Sequence, residues 1–95
     1  MNNIIWYHIG VEDTCQTTDP LPPLPQIGRK ALVVAEGRAP VWRYALAFHA
    51  LHGRAGAIGT YDPRLGVVIV ASHISEYHDG QILDLEPPPD EQAAS

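Results

Sequence analysis

The chain has 95 residues, of which 45% are hydrophobic, with one cysteine (Cys15) and a formal net charge of −5. These values exclude a disordered chain, an internal disulfide and a surface for duplex nucleic acid, and no apolar run approaches the roughly 20 residues that cross a bilayer. We therefore expect one cytoplasmic domain with no membrane contact and, because residues 1–3 lack a basic region, no signal peptide; so small a domain favours a partner subunit.

The N-terminal third is predicted to hold two strands with an irregular segment between them. Residues 4–9 are rich in β-forming side chains, which predicts a strand. Residues 19–25 include four prolines, which exclude a regular helix or a central strand and indicate a linker or an edge-covering loop. Residues 31–35 form a short continuous apolar run, which is typical of a strand buried on both faces.

A helix is predicted over residues 40–52. Pro40 suits the first helical position because its φ angle is already fixed, and Gly53 supplies the left-handed residue that ends a helix. The apolar residues between them recur at helical spacing. They are Val41, Trp42, Ala45, Leu46, Phe48 and Leu51.

Two further strands are predicted over residues 57–61 and 67–71. The segment between them starts with Asp62-Pro63 and closes with Gly66, which predicts a type I turn with a glycine bulge and hence a hairpin. A candidate last strand covers residues 81–85.

The order of these elements predicts the fold. Strand, helix and strand in succession indicate a parallel crossover, with antiparallel strands beside it. We predict an α/β fold, a compact Rossmann-like mixed sheet with few helices, in a single domain over residues 1–86 whose core covers 30–85. Residues 87–95 are predicted to be a disordered tail.

The turn Gly37-Arg38-Ala39-Pro40, between the buried strand and the helix, is the first candidate site. Unpaired N–H groups at a helix N-terminus favour an anion, Gly37 lets a ligand approach the backbone, and Arg38 adds a bidentate phosphate donor. Residues 37–72 carry four arginines against one acid, which favours a compact anionic ligand. The alternative is a plain strand-to-helix turn with an exposed arginine.

The hairpin turn that follows Tyr61 is the second candidate site. If its strand is parallel to the preceding one, Tyr61 lies at the same edge as the Gly37 turn, and open α/β sheets bind ligands outside those carboxyl ends. There Tyr61 can stack on a base and Arg64 can hold a phosphate. The alternative is that Asp62-Pro63 serves only to form the turn.

Histidines form the third candidate site. His49 and His52 are three residues apart on the predicted helix and share a face, and His73 ends the second hairpin strand. Converging imidazoles are metal ligands or a general base, and Glu76 is a further candidate ligand for manganese or zinc. A structural pair is the alternative. The remaining histidines are predicted to be surface or turn residues: His8 and His78.

The lengths of the elements separate these sites. A helix over residues 40–52 is about 18 Å long, and a strand over residues 67–73 is about 20 Å long. His52 and His73 therefore lie at one end of the domain and the two turns at the other, so that one subunit cannot bring both groups to one phosphodiester. Either one set is structural, or two subunits meet in opposite orientations around the ligand.

Five pieces of the chain occur in a characteristic order: Lys30-Ala31-Leu32-Val33-Val34, Gly37-Arg38-Ala39-Pro40-Val41-Trp42, His49-Ala50-Leu51-His52, Tyr61-Asp62-Pro63-Arg64-Leu65-Gly66 and Ser72-His73. They resemble the CRISPR-associated ring nuclease three family, a distant part of the CRISPR-associated Rossmann-fold superfamily. The likeness covers residues 30–85, and the Tyr61–Gly66 string followed by Ser72-His73 is its most specific part. Ala39 departs from the glycine expected in the turn.

The resemblance implies a homodimer that binds cyclic tetra-adenylate, sandwiches it between two dimers in a tetramer or filament, and linearises it in a Mn²⁺-dependent reaction that switches off type III CRISPR signalling. The alternatives are a non-catalytic cyclic-oligoadenylate sensor or sponge, a 3′-deadenylating exoribonuclease acting on linear RNA, and a structural interaction domain. The predicted ligand-binding residues are Gly37, Arg38, Ala39, Pro40, Tyr61 and Arg64. The catalytic candidates are His52, His73 and Asp62, and the metal-ligand candidates are His49, His52 and His73.

Overall fold

The computed structural model describes residues 3–88 of the chain, so that most of the predicted tail, residues 89–95, lies outside the described residues. The elements are β1 (Ile4–His8), β2 (Leu32–Glu36), α1 (Val41–Leu51), β3 (Ala57–Asp62), β4 (Gly66–Ser72) and β5 (Ile82–Leu83). Each predicted element is present, with ends that shift by one or two residues. Over the described residues, no helix is long and apolar enough to cross a membrane.

One sheet holds the strands in the order β1-β2-β3-β4-β5. The strands β1, β2 and β3 are parallel, whereas β4 is antiparallel to β3 and to β5. The parallel pairing across α1 and the hairpin are both confirmed, and the fold is an α/β mixed sheet with a single helix within residues 3–88. In the hairpin turn, the Leu65 N–H donates to the Asp62 carbonyl at 3.1 Å. Gly66 has a φ of 103°, which glycine adopts without a steric penalty.

The sheet is buried on both faces at β2, where residues 32–35 have no exposed surface. Val33 packs with α1 in one core cluster, and Val34 packs with Tyr77 in the other. Burial on both faces leaves no position at which a polar side chain reaches water, which explains the continuous apolar run.

The connection from β1 to β2 contains the Pro-rich segment and no helix. Leu21 and Leu24 pack against the core cluster beneath α1, and the Tyr7 hydroxyl donates to the Pro22 carbonyl. The irregular segment predicted from its prolines therefore covers the face of the sheet beside α1 rather than an edge. We name residues 19–25 the proline strap.

Arg43 of α1 binds the proline strap through backbone carbonyl groups. It is 5% exposed, and its Nε donates to the Ile9 carbonyl at 2.8 Å. Its terminal nitrogens lie 3.5 Å from the Asp19 carbonyl and 3.4 Å from the Pro20 carbonyl. Carbonyl oxygens thus bind the buried guanidinium, which removes Arg43 from the exposed positive patch that the sequence suggested.

The exposed residues of α1 are Val41, Ala45, Leu46 and His49, so that its outer face is mostly apolar. Val41 is 84% exposed and Leu46 is 42% exposed, whereas Ala47 and Leu51 are fully buried. A surface helix of a globular protein usually directs polar side chains outward. The helical spacing is confirmed, but several of the apolar residues that produced it face solvent in the single chain.

Candidate ligand-binding and catalytic sites

Parallel pairing brings three strand ends and the start of α1 to one edge of the sheet. The pairing of β1 with β2 reaches His8 and Glu36, and β3 runs parallel to β2 and ends at Asp62. The helix begins at Val41, shortly after β2 ends. We name this the carboxyl edge, and it is the place where open α/β sheets bind ligands.

The Gly37–Pro40 turn is held against the end of β1 by backbone contact. The Val11 N–H donates to the Arg38 carbonyl at 2.8 Å. Gly37 has a φ of 122°, and a Cβ there would lie 2.5 Å from the Gly10 nitrogen; a Cβ on Gly10 would lie 2.8 Å from the Arg38 nitrogen. Gly10, which was not among the predicted site residues, is therefore as necessary to this turn as Gly37.

Two cavities flank the turn at the carboxyl edge. One, of about 490 Å³, lies between Arg38–Pro40 and residues 11–14. The other, of about 360 Å³, lies between the turn and the β3–β4 hairpin, with Tyr61 in its wall; we name it the hairpin cavity. Arg38 is exposed and lines both cavities. Both volumes lie in the range of small-ligand sites.

The hairpin turn fixes Arg64 beside Asp62. The Asp62 carboxylate accepts the Arg64 backbone N–H at 2.7 Å and lies 3.4 Å from its guanidinium. These contacts, the backbone hydrogen bond first, lower the pKa of Asp62. The ionised carboxylate therefore orients Arg64, whose side chain is 87% exposed. This geometry suits Asp62 to ligand recognition beside Arg64.

A histidine–carboxylate pair also lies at the carboxyl edge. His8 Nδ1 is 2.7 Å from Glu36 Oε2, and the side chains are 61% and 14% exposed. Burial and the nearby Glu36 carboxylate raise the pKa of Tyr44, whose hydroxyl donates to the Gly37 carbonyl. Both Glu36 and Tyr44 line the hairpin cavity. His8 is exposed, as predicted for a surface histidine, but it is paired.

His52 and His73 meet at the opposite edge of the sheet, which we name the histidine edge. The His73 N–H donates to the carbonyl of Gly56, just before β3, at 2.8 Å. The ring centroids of His52 and His73 are 5.4 Å apart, with the ring planes at 62°. The six residues of β3 put about 17 Å between this imidazole pair and Asp62. The separation of the two ends that the element lengths predicted is confirmed.

The three histidines predicted as metal ligands do not form one group within the chain. Over residues 3–88, no cluster of three His, Cys, Asp or Glu side chains is placed to hold a metal ion. The helix ends at Leu51, and His52 has an extended backbone (φ −62°, ψ 129°). His52 is the C-cap of the helix, and its N–H donates to the Phe48 carbonyl at 2.9 Å. Within the described part of the chain, His52 and His73 bring two imidazoles together, fewer than the three protein ligands of a catalytic zinc site.

Comparison with known proteins assigns the chain to a family. The family model for CRISPR-associated protein (Cas_csx3) matches residues 11–84. The chain belongs to this family. An uncharacterized protein from Aquifex aeolicus (strain VF5) is 40% identical to it over 55 residues, which are 57% of this chain and 49% of that relative. The match thus spans about half the length of this curated relative.

The Cas_csx3 family match contains both turns, His52 and His73, but begins after β1. His8 and Gly10 therefore lie outside the matched residues. A glycine directly after a predicted strand was the sequence signal for Gly10. No local pattern pairs His8 with Glu36, since they are 28 residues apart and meet only through the register of β1 with β2.

Proposed function

We propose that this member of the Cas_csx3 family is a ring nuclease, which binds cyclic tetra-adenylate at the carboxyl edge and opens the ring, ending type III CRISPR signalling. The observation that carries the proposal is two exposed arginines beside the start of α1 at one edge of the sheet and an imidazole pair at the other. Arg38, Arg64 and the start of α1 suit a ring of phosphates. His52 beside His73 suits acid–base chemistry on a phosphodiester. Family membership supports the role in CRISPR defence.

The ring carries its own nucleophile, the 2′-hydroxyl beside each phosphate. In the proposed reaction, neutral His52 accepts the proton of this hydroxyl while the 2′-oxygen attacks phosphorus. The bond from phosphorus to the 5′-oxygen breaks, and protonated His73 gives a proton to the leaving oxygen. The products are a 2′,3′-cyclic phosphate and a 5′-hydroxyl. Attack by water instead would leave a plain terminal phosphate, so the product identifies the nucleophile.

Two subunits in opposite orientations are required for this reaction, because about 17 Å separate the two edges of one chain. We propose that the carboxyl edge of one dimer holds the ring while the histidine edge of another dimer closes over it, in a tetramer or a filament. The exposed apolar outer face of α1 supports the dimer. A two-fold axis along this face would present two helix N-termini to one ring.

Manganese dependence, which the family resemblance implies, stays a prediction. His52 and His73 are neighbours at the histidine edge, but over residues 3–88 no three His, Cys, Asp or Glu side chains are placed to hold a metal ion. No step of the proposed reaction passes through a metal. Comparison of the cleavage rate in EDTA with the rate in Mn²⁺ measures the contribution of the ion.

The decisive experiment is the product profile of cyclic tetra-adenylate with the purified protein, analysed by chromatography and mass spectrometry, beside linear oligoadenylate as a second substrate. Multiple turnovers that open the ring would support the proposal. Stoichiometric binding without turnover would replace it with a sponge or sensor. Faster trimming of the linear substrate would replace it with an exoribonuclease, and neither binding nor cleavage would leave an interaction domain.

A further inference from the structure

The hairpin cavity combines flat walls with one carboxylate, that of Glu36, and one guanidinium, that of Arg38. Its volume is about 360 Å³, its surface is mostly apolar, and Glu36 lies at its border. Trp6 braces the wall by contacting the Tyr61 ring edge-on, with centroids 6.4 Å apart. The planar or ring-shaped side chains of the wall are Tyr44, Tyr61, Pro63 and Pro87.

Glu36 has one carboxylate oxygen in use and one available. Its Oε2 bonds with His8 Nδ1 at 2.7 Å, and within residues 3–88 its Oε1 has no hydrogen-bond partner. The side chain is 14% exposed, so its charge is screened less by water than that of a surface carboxylate. Because His8 holds one oxygen, the orientation of the other is restricted.

These features select a planar ring that carries a hydrogen-bond donor. The Glu36 carboxylate repels a phosphate, so the phosphate of a ligand belongs on the Arg38 side of the cavity, away from Glu36. Aromatic faces such as those of Tyr44 and Tyr61 stack on nucleobases. A carboxylate accepts from the exocyclic amino group of a base and is repelled by a carbonyl oxygen. Adenine has an amino group at position 6, where hypoxanthine and guanine have an oxygen.

We propose that the hairpin cavity is an adenine-selective base site, in which Glu36 accepts a hydrogen bond from the 6-amino group and His8 holds the carboxylate in position. The inference rests on the proposed function, since it seats one adenine of the ring beside the phosphates that Arg38 and Arg64 bind. It gives a role to an acidic residue placed directly before the phosphate-binding turn. Glu36 determines specificity, and His8 is a positioning residue that acts through Glu36.

The test uses the single-base probes 5′-AMP and 5′-IMP, titrated at neutral pH into isotope-labelled protein and followed by NMR. We expect AMP to shift the signals of Tyr44 and Tyr61 and to bind roughly tenfold more tightly than IMP, because a charge-assisted hydrogen bond is replaced by a repulsion. In Glu36→Gln, the amide can donate to a carbonyl oxygen, so the two affinities should become equal. His8→Ala should reduce the preference for AMP without abolishing it. The control Asp79→Asn, which removes a charge from an exposed loop, should keep the full preference.

The outcomes separate this inference from the proposed function. Equal binding of AMP and IMP to the wild-type protein, shifts confined to residues outside the cavity, or no shift at millimolar AMP would overturn the base site even if the ring is cleaved. A preference for AMP that survives in Glu36→Gln would overturn the role of Glu36. A preference that Glu36→Gln removes, in a protein that does not bind cyclic tetra-adenylate, would support the base site and refute the ring nuclease.

Discussion

A mixture of two variants, each impaired at a different edge, tests whether the edges of different dimers act on one ring. His52→Ala removes one imidazole at the histidine edge, and Arg64→Ala removes a guanidinium at the carboxyl edge. About 17 Å of β3 separate the two sites, so each substitution leaves the other site intact. Alone, His52→Ala should bind cyclic tetra-adenylate without cleaving it. Arg64→Ala should bind the ring more weakly by roughly 1.5–3 kcal/mol, the range for charge-assisted hydrogen bonds.

A productive contact needs the intact carboxyl edge of a His52→Ala dimer and the intact histidine edge of an Arg64→Ala dimer. In an equal mixture of preformed dimers each edge comes from the required variant about half of the time, so about a quarter of the wild-type rate should be recovered. Ring opening is measured as product formed over time at several protein concentrations. The rate should rise faster than linearly with concentration, since two dimers must associate before each turnover.

A matched control mixes His52→Ala with the double variant that carries both substitutions, which supplies no intact histidine edge and should restore nothing. If the main mixture also restores nothing and the wild-type rate is linear in protein concentration, the complete site lies within one dimer. That result would refute the assignment of the two edges to different dimers.

Four further predictions follow from the fold and the carboxyl edge. By calorimetry, Arg38→Ala should lose roughly 1.5–3 kcal/mol of binding energy for cyclic tetra-adenylate, whereas Arg54→Ala, beyond the opposite end of α1, should lose none; equal losses would remove the phosphate-binding role. Light scattering should find a dimer without ligand at micromolar concentration, and Val41→Glu should shift it to monomer by placing a charge on an apolar face; a wild-type monomer would contradict the proposed interface. Arg43→Met should lower the free energy of unfolding in urea by about 1–3 kcal/mol, because buried carbonyls lose their donor; unchanged stability would mean that the proline strap is held by other contacts. The pKa of Asp62 is lowered in the folded state, so its contribution to stability is present above the ordinary value of 3.8 and is lost as pH falls through the lowered folded value. The melting temperature of Asp62→Asn should therefore fall less in acid than that of the wild-type protein. Parallel curves of melting temperature against pH for the two proteins would refute this.

Local sequence patterns were sufficient to predict the elements. Proline at position 40 and glycine at position 53 bracketed α1, and Asp62 with Gly66 determined the hairpin turn, because each of these acts through its own backbone geometry. The continuous apolar run predicted β2 for a similar reason, since burial on both faces requires every position to be apolar.

Contacts between residues that are far apart in the chain could not be predicted from local sequence patterns. The burial of Arg43 depends on the carbonyl of Ile9 and on the proline strap, none of which is near it in the chain. The proximity of Gly10 to Gly37 depends on the parallel pairing of β1 with β2, which no turn signal specifies. The sequence grouped His49, His52 and His73 as metal ligands, whereas over residues 3–88 no three His, Cys, Asp or Glu side chains are placed to hold a metal ion.

The order of strands in the sheet repeats their order in the chain, and this has a consequence for how the domain folds and opens. The β3–β4 hairpin closes locally, while β1 must return across the long connection of residues 9–31, so we expect β1 to join last and to detach first. Detachment of β1 would separate Gly10 from Gly37 and the Ile9 carbonyl from Arg43 at the same time. Amide exchange should then be fastest around β1 and the Gly37–Pro40 turn, while the β3–β4 hairpin, with His52 before it and His73 after it, persists in the partly open state.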